Sequence, residues 1–119
     1  MSKPNSPTAI RGNIFEALGL EDASEHQARV DLAVALTHEA RRIISAEGIS
    51  QKALAERIGL DPGDLSRVMN GSVGEFSQER LERLLNQLGC EVAITVRRAD
   101  GDQPPTTHVD TSALLEPVA

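Results

Sequence analysis

Residues Ser50 to Gly71 read SQKALAERIGLDPGDLSRVMNG, and this stretch decides the fold. Ser50 can cap a helix by accepting a hydrogen bond from a free backbone N–H. Gln51 to Ile58 is rich in helix formers, with Leu54, Ala55 and Ile58 on one face. Ala55 must be small where a second helix crosses close above it. Gly59 suits a helix end that needs positive φ. Asp61 followed by Pro62 is a second start signal, a capping carboxylate before proline at the first helical position. Leu65, Val68 and Met69 then form a stripe, and Asn70-Gly71 stops the helix.

Two short helices joined by a tight turn form a unit that can place its second helix in the major groove of DNA. The plainer reading is a helical hairpin with no DNA role. The turn glycine, the small alanine and two caps in register favour the DNA reader.

Working outward, Gln27 to Glu47 carries Val30, Ala33, Val34, Ala40, Ile43 and Ile44 at helical spacing, which predicts a long first helix ended by Gly48. Ser77 caps a further predicted helix with Leu81, Leu84, Leu85 and Leu88 on one face, stopped by Gly89. The period then changes. Glu91 to Arg97 alternates and is β-branched, so it predicts a strand. A lone strand has unpaired N–H and C=O groups. A second copy could supply them as a two-fold antiparallel pair, through Val92, Ile94, Thr95 and Val96. The alternative partner is the chain's own N-terminal arm.

The expected organisation is a polar, disordered tail over 1–12 and an arm over 13–26. The helix-turn-helix domain with its terminal strand follows over 27–98, and then a disordered tail over 99–119. Within the last tail, Ala113-Leu114-Leu115 is a sticky spot. The fold class is all-α, a bundle of four to five helices plus one C-terminal strand.

The chain has 119 residues and a formal net charge of −6. A nucleic-acid binder is usually basic. The acid lies mainly in the flanks, however. Residues 1–37, 38–88 and 89–119 carry −2, −1 and −3. That distribution makes a basic protein partner plausible. No apolar run is long enough to span a membrane, and the N-terminus lacks a signal-peptide core, so a cytoplasmic, nucleoid-associated protein is expected. Cys90 is the single cysteine and reads as a small hydrophobe. His26, His38 and His108 show no metal-ligand spacing. No nucleophile–base set or phosphate loop appears, so no enzyme, cofactor or metal is expected.

The block GISQKALAERIGLDPGDLSRVMNG resembles the Cro/lambda-repressor, or XRE-type, helix-turn-helix. With NIFEALGLEDASEHQARVDLAVALT before it and FSQERLERLLNQLGCEVAITVRRA after it, the span is similar to the small HigA-type antitoxins of bacterial toxin–antitoxin operons. The resemblance covers roughly residues 12–99. It implies a lambda-repressor-like bundle that acts as a homodimer on double-stranded operator DNA. It also implies repression of the chain's own operon and direct neutralisation of a basic RelE/ParE-like (HigB-type) toxin.

On that resemblance Gln51 matches the family glutamine that meets a DNA phosphate, at a helix end that itself attracts phosphate. Arg67 is the best base reader, able to grip a guanine edge with two hydrogen bonds. Asp64 and Ser66 share its helix. Asp64 can accept from a cytosine amino group, yet it repels phosphate and can equally cap the helix. Lys52, Arg57, Ser72 and Arg80 are candidate phosphate contacts, or else solvated surface groups. Pro62 and Gly63 stand where relatives often carry polar readers, so base reading leans on Arg67, backbone contacts and DNA shape. Ile14, Phe15, Leu18 and Leu20 either anchor a toxin or pack on the chain's own first helix. Two further readings compete: a stand-alone XRE-family repressor, and an interaction module that has lost DNA binding.

Overall fold

A computed structural model describes residues 23–115. The arm residues Ile14, Phe15, Leu18 and Leu20 lie outside the described part. The described residues form five helices: α1 (Ala23–Glu47), α2 (Gln51–Arg57), α3 (Pro62–Met69), α4 (Gln78–Gln87) and α5 (Ser112–Leu115). α1 packs most extensively on α4 and also touches α2, α3 and α5, so it is the spine of the bundle.

Elementary caps set the boundaries. The Ser50 hydroxyl accepts from the Ala53 N–H at 3.0 Å, and the Asp61 carboxylate accepts from the Gly63 N–H at 2.8 Å. The Ser77 hydroxyl accepts from the Arg80 N–H at 3.1 Å. Each satisfies an orphan donor and is worth about 1 kcal/mol. At the other end of α2, Gly59 sits at φ +71°, its N–H reaching the Glu56 carbonyl while the Leu60 N–H reaches Ala55 at 2.8 Å. That is a Schellman stop, and it needs the left-handed backbone that glycine supplies without strain. It drives Leu60 inward, where it is buried beside Ile58.

The core brings together Leu32, Leu36, Ala40 and Ile43 of α1, Leu54 and Ala55 of α2, and Leu65 and Val68 of α3. Leu81, Leu84 and Leu85 of α4 complete it, with Val73 and Phe76 from the loop before α4. Ala33, Ala40 and Ile43 of the expected α1 stripe are buried, but the rest of the buried face is carried by other residues. Leu32, Ala35 and Leu36 are inside, while Val34 is 47% exposed and Val30 and Ile44 are half-buried. A helix with alanines on several faces offers two stripes. Packing against the leucines of α4 selects the one that carries leucine.

Two expectations about the C-terminal third are corrected. Among the described residues there is no strand. Residues 91–97 have no regular structure, and Ile94 and Val96 are 74% and 92% exposed. Alternation gives a strand its side-chain pattern, but a ladder needs a second backbone beside it. The single chain brings none there. The tail beyond residue 99 is not structureless throughout. Asp31 of α1 accepts from the Val109 N–H at 3.0 Å and from Gln27 Nε2 at 2.8 Å. The Asp110 carboxylate accepts from the Ser112 N–H at 3.0 Å and starts α5, which sets Leu114 against the core. Leu114 of the apolar triplet thus finds its surface on the chain itself.

Candidate nucleic-acid interface

α2 and α3 pack against each other across the turn at Gly59–Asp61. Leu65 and Val68 point into the core and are essentially unexposed, which fixes the rotation of α3. That rotation turns Gly63 and Arg67 outward and leaves Asp64 and Ser66 half-buried at the edge. Arg67 stands one turn after Gly63, on the exposed face of the helix.

The electrostatics of that face centre on Asp64. Its Oδ1 takes a close hydrogen bond from Arg67 Nη1, and its Oδ2 lies 3.7 Å from Arg80 Nη2. Arg80, in the first turn of α4, lies over the buried Phe76 ring at 4.7 Å from its centroid, a cation–π contact. One carboxylate therefore joins two guanidinium groups from different helices. Asp61, not Asp64, caps α3. The Arg67–Asp64 pair is an i, i+3 contact legible in sequence. The Arg80 link spans two helices and carries no local signal.

The bareness of α3's first turn also has a geometric reason. A Cβ on Gly63 would sit 3.0 Å from Asp61 Oδ1, the oxygen that caps the helix. A side chain there would require the capping oxygen to give by a few tenths of an ångström.

The other predicted contacts are dispersed. Gln51 opens α2 and is half-buried, next to the exposed Lys52. Ser66 Oγ accepts from Asn70 Nδ2 at 3.3 Å, so it is held at the C-terminal side of α3. Ser72 is exposed, and its N–H closes α3 on the Arg67 carbonyl at 2.8 Å. Arg57 is turned toward the end of α1, where Nη2 and Nη1 meet the two Glu47 oxygens at 2.8 and 3.2 Å. That fork holds the Glu47 carboxyl below its ordinary range, chiefly through the hydrogen bond. Sequence reasoning missed this pair because its partners lie ten residues apart across a turn. A phosphate would have to compete with Glu47 for Arg57.

Cys90 is half-buried beside α1 and α4, and desolvation pushes its thiol up. Among the described residues no group of three or more His, Cys, Asp or Glu could hold a metal ion. No described helix is long and apolar enough to cross a membrane.

Comparison with known proteins agrees with this geometry. A family model described as "Helix-turn-helix domain" matches residues 14–97. A solved structure named "Putative XRE Family Transcriptional Regulator" is similar at 34% identity and a TM-score of 0.59. The match covers 72% of this chain and 92% of that one. No curated protein matches.

Proposed function

The chain belongs to the XRE-type helix-turn-helix family, and on that premise we propose that it is an operator-binding transcriptional repressor whose α3 enters the major groove. The observation that carries this reading is the outward face of α3. Arg67 is held on a helix whose rotation is locked by Leu65 and Val68 and whose start is capped by Asp61. Arg67 reads a guanine edge, with Asp64 and Ser66 beside it, while Gln51, Lys52, Arg57, Ser72 and Arg80 position the backbone. A reporter driven by the DNA upstream of the coding sequence tests it. Repression that disappears with Arg67→Ala supports the reading, and a reporter indifferent to the protein removes it.

The finer reading is that this repressor is the antitoxin of a type II toxin–antitoxin module, neutralising a basic RelE/ParE-like toxin by direct contact. The acidic flanks and the apolar block at Ile14, Phe15, Leu18 and Leu20 favour a second, protein partner. Expression of a basic protein from a neighbouring reading frame should arrest growth, and co-expression of this chain should restore it. Absence of such a frame favours the stand-alone repressor, and absence of DNA binding favours an interaction module.

Two-fold operators pair with two-fold proteins. Of Val92, Ile94, Thr95 and Val96, Val92 packs on the chain's own core, and we propose a dimer contact at the exposed Ile94 and Val96 without a strand ladder. Sedimentation of Ile94→Asp should show monomer, and an intact dimer contradicts the assignment.

A further inference from the structure

We infer that Asp64 sets the specificity of the α3 face, acting as an internal counter-ion that withholds Arg67 and Arg80 from any DNA lacking the right base pair. The inference rests on the DNA-binding reading above.

The observations are geometric. Asp64 is the one residue of α3 whose side chain touches both cations, Arg67 on its own helix and Arg80 on α4. Its side chain is 26% exposed, against 54% for Arg67 and 40% for Arg80, so it lies at the root of the pair. Arg80 is further held by the Phe76 ring. Both guanidinium groups thus reach the DNA face already partnered.

Consequences follow from magnitude. Phosphate attracts any free cation whatever the sequence, and that attraction supplies non-specific binding. A carboxylate beside two cations cancels part of it and repels phosphate directly. An exposed ion pair costs at most about fivefold to break. A guanine edge gripped by two hydrogen bonds returns about tenfold to a hundredfold. The exchange is therefore favourable at guanine and roughly neutral at phosphate. At a correct site the freed carboxylate can also accept from a cytosine amino group, which phosphate cannot offer. A negative charge in a DNA-facing helix raises discrimination by lowering background binding more than specific binding.

The test uses the whole chain with Asp64→Asn, which keeps the shape and removes the charge. The probes are a short duplex that the parent protein recovers from a random pool, and a scrambled duplex of equal composition. Affinities are measured between about 50 and 200 mM salt. The variant should bind the scrambled duplex about fivefold tighter, the effect of one unit charge at contact distance in water. Its log K against log salt slope should steepen by about one unit or more. Affinity for the recovered duplex should rise less than affinity for the scrambled one, because the base contacts of Asp64 are lost there, so the ratio of the two falls. A merely structural role would weaken both duplexes and leave the slope alone. Equal tightening on both duplexes, or no change on either, overturns the inference. Should Asp64→Asn fail to fold by circular dichroism, Asp64→Ser carries the same measurement. A parent protein that recovers no duplex removes the DNA reading itself, an outcome separate from an unchanged ratio.

Discussion

Leu65 joins the fold to the proposed function, and its removal should separate them cleanly. It has no solvent exposure and sits in the core with Leu36, Leu54 and Leu81. Leu65→Ala deletes three carbon groups at about 0.8 kcal/mol each, near 2.5 kcal/mol of lost transfer energy. The cavity left under α3 raises the total to about 3–4 kcal/mol, because helices fixed by several partners collapse only partly. A domain of this size is stable by about 5–10 kcal/mol, so the variant still folds but with little reserve. At about 4–8 °C per kcal/mol the melting temperature should fall by roughly 12–32 °C. Val34→Ala is the matched control. That side chain is 47% exposed, and its loss should cost less than about 0.5 kcal/mol. The chain has no tryptophan or tyrosine, so unfolding is followed by far-ultraviolet circular dichroism in urea rather than by fluorescence. The midpoint should move while the slope stays fixed. A loss below about 1 kcal/mol for Leu65→Ala, or an equal loss for Val34→Ala, would refute the placement of the core.

Three further outcomes follow from the geometry. Gly59→Ala meets no atom within 4 Å of its new Cβ, so its cost is backbone strain alone, about 1–2 kcal/mol by urea melt, with Gly59→Asn milder. Glu47 has a lowered carboxyl pKa through Arg57, so its contribution is complete above the ordinary carboxylate range. It is lost as pH falls through the lowered value, and the stability gap between parent and Glu47→Gln should therefore shrink on acidification. Asp31→Ala removes the acceptor for the Val109 N–H, so exchange of that amide and cleavage after residue 98 should quicken while the core amides hold.

What was legible in the sequence was local. Ser50, Asp61 and Ser77 announce helix starts because a short polar side chain satisfies a donor two or three residues on. Leu54, Ala55, Leu65 and Val68 announce an interface because period and size are both written along the chain. What misled was pattern without a partner. Glu91 to Arg97 alternates like a strand, yet a strand exists only where a second backbone completes it. The stripe of α1 could not be fixed from its own residues, since its neighbours choose the face. At the candidate site the residue types were readable, but the Asp64 link to Arg80 and the Arg57 fork on Glu47 arise from helix packing. The docked turn at Val109–Leu115 depends on Asp31, 78 residues before Val109.

The central claim is that α3 reads DNA through Arg67, and one titration tests it most directly. Affinity of Arg67→Ala is measured at fixed salt on the duplex recovered by the parent and on its scrambled counterpart. The account predicts a loss of about 1–3 kcal/mol on the recovered duplex and a much smaller loss on the scrambled one. An equal loss on both, or none on either, contradicts it.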